Sequence, residues 1–350
     1  MQLLPALDAG GVERSTLEIA RALVAAGHRA LVVSAGGAMV PALEAAGAVH
    51  IRLEVGRKTP LVLRHVPALR RLLRQHRVDI LHARSRLPAW VGRLALRGMP
   101  DDRPRWVTTV HGLNSPGRYS AVMASGERVI CVSDTVCAHV REHYPQVDPA
   151  RLAVVPRGVD PAAFPRSPLP ATGEPPLLLM PGRGTRLKGH ADAIALLAEL
   201  AGRGRNLRLW LLGAVQPGRE RYLDELRAQA AAAGVSDRLL LSPPVADVRA
   251  AYAQSHLVLQ LSRKPEAFGR TVLEALCSGR PVVGWDHGGV GEVLSRLYPA
   301  GRVPVGELAT LADRVTALLD APPPPPDSIP YTLQSMQDAT LRLYEHLLDH

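Results

Sequence analysis

The residues best equipped for chemistry sit in loops that follow short apolar runs. Residues 181–190 read PGRGTRLKGH, in which three glycines free the backbone and Arg183, Arg186 and Lys188 supply positive charge at a helix start. Such a loop suits a diphosphate whose charge must be matched as it leaves. Residues 8–14 place Gly10 and Gly11 directly after the first apolar run, where a helix opens. Backbone that can approach closely and the unpaired N–H groups of a helix start favour an anion there. The spacing is not GxGxxG, so no dinucleotide fingerprint is met. Residues 265–276 carry Glu266 and Glu274 eight apart, one before a helix and one about a turn inside it. Ionised carboxylates accept paired hydrogen bonds from vicinal hydroxyls, as sugars and ribose offer. Each stretch also has an ordinary explanation: a glycine turn, a solvated basic loop, acids answering a helix dipole.

Other chemistries are disfavoured. Cys131, Cys137 and Cys277 form no CxxC pair, so neither a disulfide framework nor structural zinc is expected, and no metal or cofactor is called for. The start of the chain lacks the basic and apolar segments of a secretory signal, and no run of eighteen apolar residues exists, which points to a cytoplasmic protein. The net charge of +10 is uneven, since residues 56–98 hold eleven Lys and Arg against one acid, Asp79. Few aromatics accompany them, which argues against nucleic acid. Within this 57–97 region, residues 60–77 set Val62, Val66, Leu69 and Leu73 at helical spacing with Arg64, Arg70, Arg71, Arg74 and Arg77 on other faces. An ordinary helix with a solvated side and a patch for an anionic inner leaflet are both open readings.

The elements that position these loops alternate short apolar runs with helical segments, the pattern of βαβ units and an α/β class. Strands are expected at 2–7, 30–34, 79–82, 106–110 and 128–132, with helices at 12–26, 61–77 and 134–143. A second series has strands at 177–180, 207–212, 238–241, 257–261 and 281–284, and helices at 190–202, 220–233, 245–255, 270–278 and 307–319. Residues 1–160 are thus expected to form one doubly wound, Rossmann-like domain and 177–321 another, facing each other across a cleft where ligands meet the carboxyl ends of the strands. Seven prolines in residues 156–176 mark a linker, taken as 161–176. Five consecutive prolines, Pro322 to Pro326, open a spacer and terminal helix covering 322–350.

The ordered motifs, taken together, are more specific than any one alone. GGVER at 10–14, TVHG at 109–112, CVSD at 131–134, VVPRGVD at 154–160, PGRGTRLKGH at 181–190, LLGA at 211–214, EAFGRTVLEAL at 266–276 and PVVGWDHGGVGEVL at 281–294 resemble family 4 of the glycosyltransferases. The resemblance implies the GT-B fold, a nucleoside-diphosphate-sugar donor and transfer with retention. By position it implies that Gly10 and Gly11 meet the donor from the N-terminal side and that Arg183 and Lys188 bind the diphosphate. It further implies that Glu266 meets the donor sugar, that Glu274 holds the ribose, and that the backbone N–H groups of Ala267, Phe268 and Gly269 contact sugar hydroxyls. His111 matches a histidine near the transferred sugar and acceptor. Ala267 replaces the more frequent glycine, and Arg157 stands where the family pattern VIPNGVD has asparagine.

No Asp-x-Asp occurs, so the departing diphosphate is expected to be neutralised by protein rather than by metal. The leading expectation is a metal-independent transferase acting on a cell-envelope glycan or lipid-linked acceptor such as a lipopolysaccharide core, peripheral on the inner membrane face. A nucleotide-sugar epimerase or phosphorylase, and a catalytically silent sugar-nucleotide binder, are the alternatives.

Overall fold

The computed structural model describes residues 1–8, 10–57, 59–99, 103–170, 175–245 and 247–349. Ala9 of the glycine loop, Lys58 of the basic stretch, 171–174 of the expected linker and the terminal His350 lie outside the described residues. The chain divides into two compact units, one formed by Met1–Arg157 with Leu333–His350, the other by Gly158–Thr332.

The first unit runs β1 (Gln2–Leu3), α1 (Gly11–Ala25), β2 (Leu31–Ser34), α2 (Val40–Glu44), β3 (Val49–Arg52), α3 (Val66–Gln75), β4 (Ile80–Ala83), α4 (Arg86–Arg97), β5 (Arg105–Val110), β6 (Arg128–Cys131), α5 (Asp134–His143) and β7 (Leu152–Val154). Its described strands make a parallel sheet in the order β3-β2-β1-β4-β5-β6-β7. Central strands such as LVVS in β2 are buried throughout because helices cover both faces, which is why they read as apolar runs without alternation. The strand order reverses between β1 and β4, so the loops after these two strands flank the switch point.

The second unit contains β8 (Leu177–Pro181), α6 (His190–Gly202), β9 (Arg208–Leu212), α7 (Glu220–Ala232), β10 (Leu239–Ser242), α8 (Arg249–Gln254), β11 (Leu257–Gln260), α9 (Arg270–Cys277), β12 (Val282–Trp285), α10 (Gly288–Leu297), β13 (Arg302–Val303) and α11 (Leu308–Asp320). Here the parallel order is β10-β9-β8-β11-β12-β13, with the reversal between β8 and β11. Its core gathers Leu178, Leu179, Ile194, Leu209, Leu211, Val258, Val272, Val283 and Val293, all without solvent exposure.

Several elements differ from the sequence expectation. The expected strand 2–7 pairs only over Gln2–Leu3. The expected helix 61–77 splits into a 3-10 segment, Pro60–His65, followed by α3, with Pro67 in the first turn of α3 where its missing N–H is harmless. Of the expected helix 245–255, Arg249–Gln254 is helical, and Ala246 lies outside the described residues. Residues 161–168 of the proline-rich segment lie on the second unit: Phe164 joins its core, and Arg280 donates to the Pro168 carbonyl at 2.8 Å. The Pro323 carbonyl likewise accepts from Tyr298 Oη at 3.0 Å.

The terminal helix, α12 (Leu333–Leu348), packs on the first unit. Met336, Tyr344 and Leu347 share a cluster with Ile19, Val107, Ile130 and Val155. Each such side chain contributes roughly 1.5–3 kcal/mol through burial. The Tyr344 hydroxyl also meets His82 Nδ1 at 2.5 Å, while His82 Nε2 meets Thr109 Oγ1 at 2.6 Å. Among the described residues no helix is long and apolar enough to cross a membrane.

Candidate functional site

The loop after β8 is shaped by its glycines. Gly189 has φ of 80°, and a Cβ there would sit 1.9 Å from the Leu261 carbonyl oxygen, so only glycine permits this approach to the end of β11. The result is that two loops 78 residues apart touch. Lys188 Nζ donates to Glu266 Oε1 at 2.5 Å, both side chains about three-quarters buried. Glu266 Oε1 also accepts from Ser262 Oγ and, at 3.4 Å, from Gln260 Nε2. A carboxylate and an ammonium thus stand together where the strand order of the second sheet reverses, the place at which an open α/β sheet offers a crevice.

The other cations of the loop behave differently. Arg183 is exposed and makes no side-chain hydrogen bond or ion pair among the described residues. Arg186 is tied back to α7, donating to Glu225 Oε1 at 2.6 Å with its guanidinium 5.2 Å over the Tyr222 ring. Of the three cations in PGRGTRLKGH, the structure therefore joins Lys188 to Glu266 and directs Arg186 elsewhere.

Glu274 lies in the second turn of α9 and is nearly buried. Its Oε2 accepts from Tyr252 Oη at 2.9 Å, and its Oε1 pairs with Arg270 Nε at 3.6 Å, one helical turn back. Nothing in the sequence marks Tyr252 for the site, because a tyrosine at helical spacing reads as core. It is indeed core, fully buried and edge-on to Phe164 at 6.0 Å, but its hydroxyl fixes one oxygen of the carboxylate. Phe268 is buried against Tyr331 and Gly269 precedes α9. The Ala267–Gly269 segment is braced by the glycines that open α10: Gly289 N–H donates to the Glu266 carbonyl at 2.8 Å, and a Cβ on Gly289 would lie 2.5 Å from Phe268 Cα. His287 Nε2 contacts the Ser262 carbonyl at 2.8 Å. The sequence signal for this brace was the WDHGG stretch, whose role only the contact reveals.

In the first unit, Gly10 precedes α1 without a side-chain cap, so the helix start keeps open N–H groups. A Cβ on Gly11 would meet nothing within 4 Å, so packing within this unit does not demand glycine there. His111 follows β5, and its Nδ1 accepts from Arg157, which is itself buried. Burial first, and then the charges of Arg157 and Arg84, hold the His111 ring well below the usual imidazole range. Arg84, also buried, donates to Gln2 Oε1 and Ser15 Oγ at 2.6 Å each.

The basic stretch does not form one surface. Arg84 is interior, and Arg70 caps the end of α4, donating to the Ala95 carbonyl at 3.2 Å and the Leu94 carbonyl at 3.4 Å. Carbonyls at a helix C-terminus lack intrahelical donors, and the guanidinium supplies them. Arg64, Arg71, Arg74 and Arg77 remain exposed, with Leu61 and Leu63 beside them in the chain, 66% and 47% exposed. Among the described residues no group of three or more His, Cys, Asp or Glu is placed to hold a metal ion.

Two parallel, doubly wound α/β units with charged loops at the switch point define the class: a two-domain Rossmann-like protein of the GT-B kind. Residues 9–163 match the model of Glycosyltransferase Family 4 and residues 164–332 that of Glycosyl transferases group 1. The chain belongs to family 4 of the glycosyltransferases. It is 31% identical over 250 residues to a D-inositol 3-phosphate glycosyltransferase of Xylanimonas cellulosilytica, covering 62% of this chain and 57% of that one. It is 32% identical over 148 residues to a lipopolysaccharide core biosynthesis mannosyltransferase of Rhizobium leguminosarum, covering 40% and 42%. The chain spans about half the length of the first curated relatives it matches. A glycosyltransferase structure from Rickettsia africae superposes with a TM-score of 0.85 at 25% identity, over 100% of this chain and 98% of the other. The Anabaena HepE structure with UDP-glucose gives 0.77 at 21% identity, over 99% and 97%.

Proposed function

We propose that the protein transfers a glycosyl unit from a nucleoside-diphosphate sugar to a cell-envelope glycan or lipid-linked acceptor, with retention and without a metal ion. The observation that carries this reading is the Lys188–Glu266 pair at the switch point of the second sheet. In it, Lys188 and the exposed Arg183 meet the pyrophosphate, and Glu266 accepts from hydroxyls of the donor sugar. Glu274, with one oxygen committed to Tyr252, holds the ribose. Backbone N–H groups of Ala267, Phe268 and Gly269 contact the sugar, Gly10 and Gly11 approach the donor from the first unit, and His111 stands near the transferred sugar. A charge-assisted hydrogen bond contributes about 1.5–3 kcal/mol, enough for these cations to stabilise the leaving diphosphate.

The UDP-glucose named for the Anabaena protein supports a nucleotide-sugar donor, and the envelope role named for the Rhizobium relative supports a lipopolysaccharide-core acceptor. Exposed Arg64, Arg71, Arg74 and Arg77 with Leu61 and Leu63 favour docking on an anionic leaflet, which keeps a lipid-linked acceptor within reach. The test is nucleoside-diphosphate release from a panel of UDP-, GDP- and ADP-sugars with a lipid-linked or core-oligosaccharide acceptor, the anomeric configuration of the product being read by NMR. One donor class should turn over only with acceptor and give a retained anomer; an inverted product, or epimerised donor without acceptor, overturns the reading.

A further inference from the structure

We propose that Arg157 fixes His111 as a neutral imidazole carrying its proton on Nε2, making it a hydrogen-bond donor and not a proton acceptor toward the sugar end of the substrate. The argument begins with what a guanidinium can do: it donates through its N–H groups and accepts nothing. Because an Arg157 N–H points at His111 Nδ1, that ring nitrogen must present its lone pair. A neutral imidazole has one N–H and one lone pair, so the proton resides on Nε2. His111 Nε2 is buried and has no hydrogen-bond partner among the described residues, so its N–H is left unsatisfied within the chain. Nearby His82 differs, since both of its nitrogens are engaged, by Tyr344 and Thr109.

The groups that face His111 are Arg157, Arg84 and His82, and they reinforce the assignment. Two guanidiniums beside a buried ring oppose a second proton, so His111 stays uncharged over the range where a histidine usually titrates. The asparagine of the resembling family's pattern at position 157 would bring no charge, so this restraint belongs to this chain's arginine.

The role at the sugar rests on the proposed function, whereas the tautomer can be measured apart from it. Proton–nitrogen correlation spectra of the full chain, with the His111 signals assigned by their loss in His111→Leu, should show a protonated Nε2 and a bare Nδ1 from about pH 5.5 to about 7.5. In Arg157→Leu the Nδ1 lone pair loses its donor, so the spectra should show a mixture of Nδ1–H and Nε2–H tautomers and kcat/KM for donor should fall. Arg157→Lys, which keeps a cationic N–H, should restore the wild-type pattern. A proton on Nδ1 in the wild type, or an unchanged ring in Arg157→Leu, overturns the inference. Expected nitrogen signals together with undiminished transfer by His111→Leu would instead overturn the placement of His111 at the sugar while leaving the tautomer in place.

Discussion

Glu274 shows how one hydroxyl can prepare a carboxylate. With Oε2 accepting from Tyr252 and Oε1 near Arg270, the group is held in one rotamer before any ligand arrives. If Glu274 holds the ribose as proposed, ordering it then costs little on binding. Tyr252→Phe keeps the ring in its site against Phe164 and removes only that restraint, so KM for the donor should rise about tenfold with kcat little changed. A donor lacking both ribose hydroxyls should bind the variant and the wild type equally; a persisting difference would show that the tyrosine acts through packing alone. Gly189 is a second residue whose identity is fixed by geometry. Gly189→Ala would combine a left-handed backbone, costing roughly 1–2 kcal/mol, with a clash against Leu261, and should lower the melting temperature and weaken donor binding together. The candidate residues stand out in the sequence as types and spacings. Their partnerships do not: Tyr252 looks like any core aromatic, and the Arg186 that shares its loop with Lys188 turns instead to Glu225.

The elements divide into those whose pattern speaks for itself and those decided by neighbours. Central strands such as β8 and β11 were readable because burial on both faces leaves only apolar residues. Among the described strands, β3, β7 and β13 carry little sequence pattern, since each lies at a sheet edge, is two to four residues long and includes exposed positions, and helices α2, α4 and α10 are likewise additions to the sequence expectation. The apolar stripe of α12 was visible, but not its docking on α1 and β5, which depends on Tyr344 reaching His82 across 262 residues of chain. Tyr344→Phe leaves His82 Nδ1 buried without that partner, so it should destabilise the first unit by about 1–3 kcal/mol in denaturant titrations; no change would mean that the hydroxyl contact contributes nothing. For α3, the capping role of Arg70 predicts that charge reversal there lowers stability. Arg64→Glu with Arg71→Glu, both exposed, should instead spare the fold and weaken sedimentation with anionic vesicles. Equal sedimentation of that double variant would remove the membrane reading.

At the scale of the molecule, buried histidines tie stability to pH. Burial above all, and then Lys188, lowers the His190 ring to about 4, and His82 and His111 shift in the same direction. An unfolded chain takes up these protons near pH 6.5, the folded one only further down, so the unfolded state is favoured as pH falls between those values. For His190 the stabilisation is fully present above about pH 6.5 and is lost toward about pH 4, at up to about 1.4 kcal/mol per pH unit, and His82 and His111 add to the loss in the same direction. The urea midpoint should therefore drop between pH 7 and about pH 5, and less steeply in His190→Gln. Strand order is the feature of this scale that periodicity could not supply: only the placement of β8 beside β11 turns a basic loop and an acidic one into a single site. Everything proposed for the reaction depends on that site neutralising a leaving diphosphate with its own side chains. The direct measurement is the turnover of the preferred donor and acceptor by the wild type and Lys188→Ala, each with and without a chelator. Wild-type rates unchanged by chelator and a loss of roughly ten- to several-hundred-fold in Lys188→Ala are expected. Chelator-abolished wild-type turnover restored by a divalent cation, with Lys188→Ala as active as the parent, would contradict the account.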